Sequence, residues 1–150
     1  MFRAMTTIDV RSTPAQAFDH IARQFFEHHS LWDPSVKSMT KTTEGPVSLG
    51  TAGVERRRFG FWPIVSHIRV AAFEPDRRFA FETTDGPMVE QVEWEILGRN
   101  GGSAVSVDIR LTPASTSMRA LEGVMRPMIA RNVRGNVARM KAALDRAAAG

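Results

Sequence analysis

The chain has 150 residues, enough for one domain spanning 1–150 with a core of its own, and carries 20 Lys and Arg against 16 Asp and Glu for a formal charge of +4. It contains no cysteine, which excludes disulfides, thiolate metal sites, iron–sulfur clusters and cysteine nucleophiles. No charged-then-apolar leader opens it and no apolar run is long enough to span a bilayer, so a cytoplasmic protein is expected; acids interspersed with bases give the charge no bias toward nucleic acid.

TTIDVR, residues 6–11, alternates Ile8 and Val10 with polar neighbours and reads as a half-buried first strand. Ser12 or Thr13 then stands as a helix N-cap, with Pro14 near the first helical position. Ala17, Phe18, Ile21, Phe25 and His28 repeat at helical spacing, and Pro34 ends that helix. From Val36 to Pro113 the chain reads as strand after strand, broken at EGPVSLG, GFWP, EPDR, TDGP and GRNGG.

Two of those breaks set a register. Asn100-Gly101 predicts a two-residue type I′ loop. Counting outward pairs Ile96 with Val105, Trp94 with Val107, Val92 with Ile109 and Glu90 with Leu111, leaving Glu95, Glu93 and Gln91 on the other face. A turn centred on Pro75-Asp76 likewise pairs Ala72 with Phe79, Val70 with Phe81 and Ile68 with Thr83, with an Arg69–Glu82 ion pair opposite and Phe73 on the wet face. The expectation is an antiparallel sheet covered on one side. Residues 115–148 are helical in pattern and supply the cover. Met118, Leu121, Met125 and Met128 form one stripe, Ile129, Val133, Met140 and Leu144 continue it, and Pro127 should kink the helix.

The order of strand, helix, about six antiparallel strands and one long helix is joined by several short motifs: TPAQAF near the start, WDPSV after the first helix, GPVSLGTAG at a hairpin, FEPDRRFAFE in the middle and RPMIARNVRGNVARMKAALD at the end. Together they resemble the START-like (SRPBCC), birch-pollen-allergen-like superfamily, which includes polyketide cyclases and dehydrases. The resemblance covers nearly the whole chain. It implies an α+β helix-grip fold: a curved antiparallel sheet of about seven strands wrapped around the long C-terminal helix, with an apolar cavity between them. It implies a small hydrophobic molecule as partner, lipid-like or aromatic. No common catalytic motif or cofactor comes with it.

Placed on that frame, the expected cavity walls are Ile68, Val70, Phe79 and Phe81 of the central hairpin, with Met88, Val92, Trp94, Val107 and Ile109 of the next. Met118, Leu121, Met125, Met128 and Asn132 face them from the long helix, and Trp32 closes one end. Within FFEHHSLWDP, adjacent histidines point about 100° apart on a helix and no carboxylate completes a ligand set, so no metal is expected. His28 and His29 read as surface histidines at a helix end, with acid–base use at a cavity mouth left open. Glu90, with a histidine as a further option, is the candidate catalytic group: it falls on the apolar face, where a carboxylate must be paired, wet or protonated. Among Arg56, Arg57 and Arg58, alternation sends at least one inward or to a rim, although pairing with surface acids explains all three.

Three functions remain open. One is a binder of a hydrophobic molecule, and the second is a cyclase- or dehydratase-type enzyme using Glu90 as acid or base. The third uses Arg119, Arg126, Arg134 and Lys141, which gather on one outward helix face, to bind nucleic acid or an acidic protein. No aromatic platforms interleave with these four and no DNA-reading motif is present, which argues against nucleic acid. The oligomeric state, monomer or homodimer, is left open.

Overall fold

In the computed structural model, residues 1–149 are described. β1 (Phe2–Val10) leads through a Thr13 N-cap into α1 (Pro14–Phe18), a π-helical segment (Asp19–Arg23) and α2 (Phe25–Trp32). Strands β2 (Val36–Lys41), β3 (Ala52–Phe59), β4 (Trp62–Glu74), β5 (Arg78–Thr83), β6 (Met88–Arg99) and β7 (Gly102–Pro113) follow, and α3 (Thr116–Ala149) ends the chain. The seven strands form one antiparallel sheet in the order β1-β7-β6-β5-β4-β3-β2. This is the helix-grip α+β architecture. Among the described residues no helix is long and apolar enough to cross a membrane.

Local chemistry explains the entry to α1. Thr13 Oγ1 accepts from the Gln16 N–H while the Gln16 side chain accepts from the Thr13 N–H, a reciprocal cap, and Pro14 sits in the first turn. β1 begins at Phe2, ahead of the expected Thr6, because the whole strand pairs with β7 from Phe2↔Leu111 to Val10↔Ser103. The β6–β7 hairpin has the expected register throughout, and Asn100 (φ 52°) and Gly101 (φ 79°) make its left-handed turn.

The β4–β5 hairpin departs from expectation halfway along. Ile68↔Thr83, Arg69↔Glu82 and Val70↔Phe81 pair as counted, but a bulge between Val70 and Ala72 resets the rest, so Ala72 faces Ala80 and Phe73 faces Phe79. The turn therefore has three residues, with Asp76 left-handed at φ 64°. Its consequence is that Phe73 leaves the wet face and packs edge-on against Phe18, centroids 5.1 Å apart. A phenyl ring gains burial by that turn, and the extra residue in the strand provides it.

The expected single N-terminal helix is also interrupted. Gln24 (φ −107°, ψ 31°) separates the π segment from α2, so α2 takes its own phase from Phe25. Its buried face is then Phe25, His29 and Trp32, spaced i, i+4, i+7. Phe18, Ile21 and Phe25 are fully buried, each worth about 1.5–3 kcal/mol of apolar burial. Phe25 lies 5.1 Å from Phe79 and 4.9 Å from Phe81, ring to ring. The α1–α2 segment thus fills one end of the sheet's concave face.

α3 is anchored at its C-terminal end. Met140, Ala143 and Leu144 are buried, the Ser12 hydroxyl donates to the Leu144 carbonyl, and the Arg11 N–H donates to Asp145 at 2.8 Å. Toward its N-terminus Leu121, Val124 and Met128 are half or more exposed. The inward stripe runs Met118, Leu121, Met125, Ile129, Asn132, Val133, Asn136 and Met140. It steps by four from Met125 to Ile129, and that leaves Met128 outside. Pro127 lies within the helix, where it has no N–H to give the Gly123 carbonyl.

Candidate functional site

Between the concave face of the sheet and the N-terminal two-thirds of α3 lies a cavity of about 610 Å³. Trp32, Met88, Glu90, Val92, Trp94, Val107 and Ile109 line it from one side, and Met118, Leu121, Met125 and Asn132 from the other. The other expected wall residues lie elsewhere. Ile68, Val70, Phe79 and Phe81 are buried in the packed core, the last two against Phe25, and half-exposed Met128 faces away. For β5 the reason is α2, whose Phe25 covers Phe79 and Phe81 where the sequence left them facing the cavity.

The walls are mostly apolar. Trp94 spans them, its indole N–H directed at the Met140 sulfur at 3.3 Å, with Phe81 stacked on its far face. At the β3–β4 turn Phe59, Trp62 and Pro63 reach the cavity. Phe61 and Trp62 at that turn are 97% and 75% exposed, so this end of the sheet presents apolar surface to water.

A polar cluster interrupts this surface. Glu55 and Arg57 alternate inward on β3, Asp33 caps the end of α2, His29 projects from α2 and Glu90 from β6. Arg57 Nε donates to Glu55 Oε1 at 2.6 Å and Nη2 to Asp33 Oδ2 at 3.3 Å, while Nη2 stands 3.8 Å from Glu90 Oε1. His29 Nε2 is 3.9 Å from Asp33 Oδ2. Two buried atoms, His29 Nδ1 and Glu55 Oε2, have no hydrogen-bond partner.

The charges follow from this geometry. Burial pushes the Glu90 carboxyl up to about 7 from its ordinary 4.5; Arg57 pulls it down, and the neighbouring Glu55 and Asp33 push it up further. Burial alone would lower the Arg57 guanidinium, but Glu90, Glu55 and Asp33 more than reverse that, so it stays protonated. Burial lowers His29 and so favours the neutral ring, against the pull of Asp33 and Glu55. Glu90 is therefore a carboxyl that can give or take a proton near neutrality.

Two readings of the sequence change here. His29 is not a surface histidine but is 4% exposed at the cavity wall. His28, half-buried, stacks on His20 with centroids 4.0 Å apart, and burial next to His28 lowers His20 to about 4. Arg57 is not a surface arginine but the centre of the buried cluster, while Arg56 and Arg58 stay outside. The signal for both Glu55 and Arg57 was present in the GFWP turn. A two-residue loop at Gly60-Phe61 pairs Phe59 with Trp62, Arg57 with Ile64, Glu55 with Ser66 and Gly53 with the inward Ile68. On α3, Arg126 donates to the Met1 carbonyl and Lys141 to the Asp9 carbonyl, so two of the four outward basic residues brace the chain. Among the described residues no group of three or more His, Cys, Asp or Glu side chains is placed to hold a metal ion.

Fold and cavity together define a START-like helix-grip protein with a largely apolar site. The chain belongs to the family described as polyketide cyclase / dehydrase and lipid transport, whose model matches residues 1–145. No curated protein matches it. Among solved structures it is similar to a protein from Thermus thermophilus, with TM-score 0.75, 11% identity, 98% of this chain and 97% of that one covered. It is likewise similar to the ZhuI aromatase/cyclase from Streptomyces sp. R1128 (TM-score 0.74, 11% identity, 97% and 94% covered). The major latex-like protein 151 of Panax ginseng matches with TM-score 0.66, 7% identity and 95% and 97% covered. At these identities the likeness is one of fold.

Proposed function

We propose that the protein is a cytoplasmic binder of a small hydrophobic molecule, lipid-like or aromatic and polyketide-like, held between the sheet and α3. One observation carries this reading: the cavity of about 610 Å³ with apolar walls, a size within the usual range for small-molecule sites. Family membership supports it. The test is titration with the neutral fluorophore N-phenyl-1-naphthylamine. Saturable binding of one molecule per chain is expected, lost in Val133→Trp, whose indole would occupy the cavity from the α3 side. Equal binding by wild type and variant would refute it.

A second reading, an enzyme of the cyclase or dehydratase type, is favoured by Glu90. Its carboxyl sits inside the cavity, poised near neutrality and free of a hydrogen bond among the described residues. An acid or base there would act on a molecule held by the apolar walls. Glu90→Gln should then abolish turnover of a polyketide-type substrate and leave its binding intact; undiminished turnover would exclude Glu90 from the chemistry.

A further inference from the structure

We propose that the molecule taken by this cavity carries a protonated amine on its apolar body, seated against Glu55, Glu90 and His29. The inference rests on the cavity-binding reading above and deepens it. Its first ground is the charge count within the polar cluster. Asp33, Glu55 and Glu90 face a single guanidinium, Arg57. The α3 residues lining the cavity add only Asn132 and Asn136 as polar groups. With Glu90 protonated the cluster carries one uncompensated negative charge, and with Glu90 ionised it carries two.

The second ground is independent of charge: hydrogen-bond capacity is left over on the acidic side of the cluster. Glu55 is 2% exposed and its Oε2 has no donor; His29 is 4% exposed and its Nδ1 has no partner. Glu90 reaches no closer than 3.8 Å to Arg57. Carboxylate oxygens only accept, and a neutral imidazole keeps one accepting nitrogen. An ammonium head has three donors and no acceptor, so it satisfies what the cluster lacks. Glu55 Oε2 and His29 Nδ1 are already shut off from water, and a wholly apolar guest would leave them unpaired, at about 1–3 kcal/mol each.

The same cluster disfavours an acid. An arginine in a cavity would ordinarily be read as a clamp for a carboxylate or phosphate. Here the Arg57 Nε and Nη2 already serve Glu55 and Asp33, Glu90 stands 3.8 Å from Nη2, and only Nη1 is left to a guest. An incoming carboxylate would meet three of its own kind. A metal cation is the poorer occupant, because no ligand group of the required arrangement is present among the described residues. Binding of an ammonium favours the ionised form of Glu90 and releases its proton. Arg57 and Glu55 of β3, Asp33 and His29 at the end of α2, and the two asparagines of α3 are the groups around it. Affinity for the amine should therefore rise from pH 6 to pH 8.

The test uses three probes with one body: 1-naphthylmethylamine, 1-naphthalenemethanol and 1-naphthylacetic acid, titrated calorimetrically into the wild-type chain at pH 7.5. The amine should bind at least tenfold tighter than the alcohol, with the acid weakest. Glu55→Gln should lower the amine-to-alcohol ratio. Glu90→Gln should do the same and, having no hydrogen bond to Arg57 to lose, serves where the first variant fails to fold. Alcohol or acid binding as tightly as the amine would overturn the inference and leave the cavity reading standing. No binding of any of the three would overturn both.

Discussion

Replacing Glu90 by Gln tests the electrostatics of the site without touching its packing. In the folded chain the carboxyl is raised by burial to about 7 from an ordinary 4.5, and about 1.4 kcal/mol accompanies each pH unit. A raised carboxyl binds more protons folded than unfolded between those two values, so stability falls as pH rises through that window. Glu90 should thus cost the fold about 3 kcal/mol by pH 8 relative to pH 5. Gln keeps the shape and cannot ionise. Urea denaturation at pH 5, 6, 7 and 8 should show wild type and Glu90→Gln within about 1 kcal/mol of each other at pH 5. At pH 8 the variant should be the more stable by up to about 3 kcal/mol. A difference that stays constant with pH, or one in which the wild type gains as pH rises, would refute the reasoning.

Other expectations follow from the same geometry. Arg57→Met leaves Asp33 and Glu55 buried without their cation, a loss of about 3–5 kcal/mol or roughly 10 °C in thermal melting at pH 7.5. Phe18→Ala, at a fully buried position away from the cavity, should cost about 3–5 kcal/mol in urea denaturation while N-phenyl-1-naphthylamine affinity stays unchanged. Gly102→Ala places a methyl against the Val10 carbonyl oxygen and the Arg11 backbone. It should cost about 1–3 kcal/mol and speed amide exchange along the β1–β7 ladder, which Val10↔Ser103 closes.

What the sequence made legible was whatever rests on short-range pattern. The β6–β7 register follows from one Asn-Gly turn and strict alternation, and it brought Glu90, Val92 and Trp94 to one face correctly. The β4–β5 register failed beyond Val70 because a bulge needs no special residue, and Ala71 carries no mark of one. The phase of α2 was lost for a similar reason: a π segment and an irregular Gln24 reset the helical count, so His29 rather than His28 turns inward. Which sheet residues face a cavity and which face α2 depends on where a helix docks across the chain. Ile68, Val70, Phe79 and Phe81 share their alternation with Val92 and Trp94 and differ only in what covers them. The buried cluster was legible in part, since strand alternation puts Glu55 and Arg57 together, but Asp33 joins it from a helix end 24 residues from Arg57.

The central claim is that a hydrophobic molecule occupies the space between the sheet and α3. It is tested most directly by mass spectrometry of a solvent extract from protein purified out of its native host, beside the cavity-filling Val133→Trp variant treated in the same way. One hydrophobic compound, enriched with the wild type and absent from the variant, is the predicted result. The account would be contradicted if no compound were enriched with the wild type and a panel of hydrophobic metabolites gave it no thermal stabilisation.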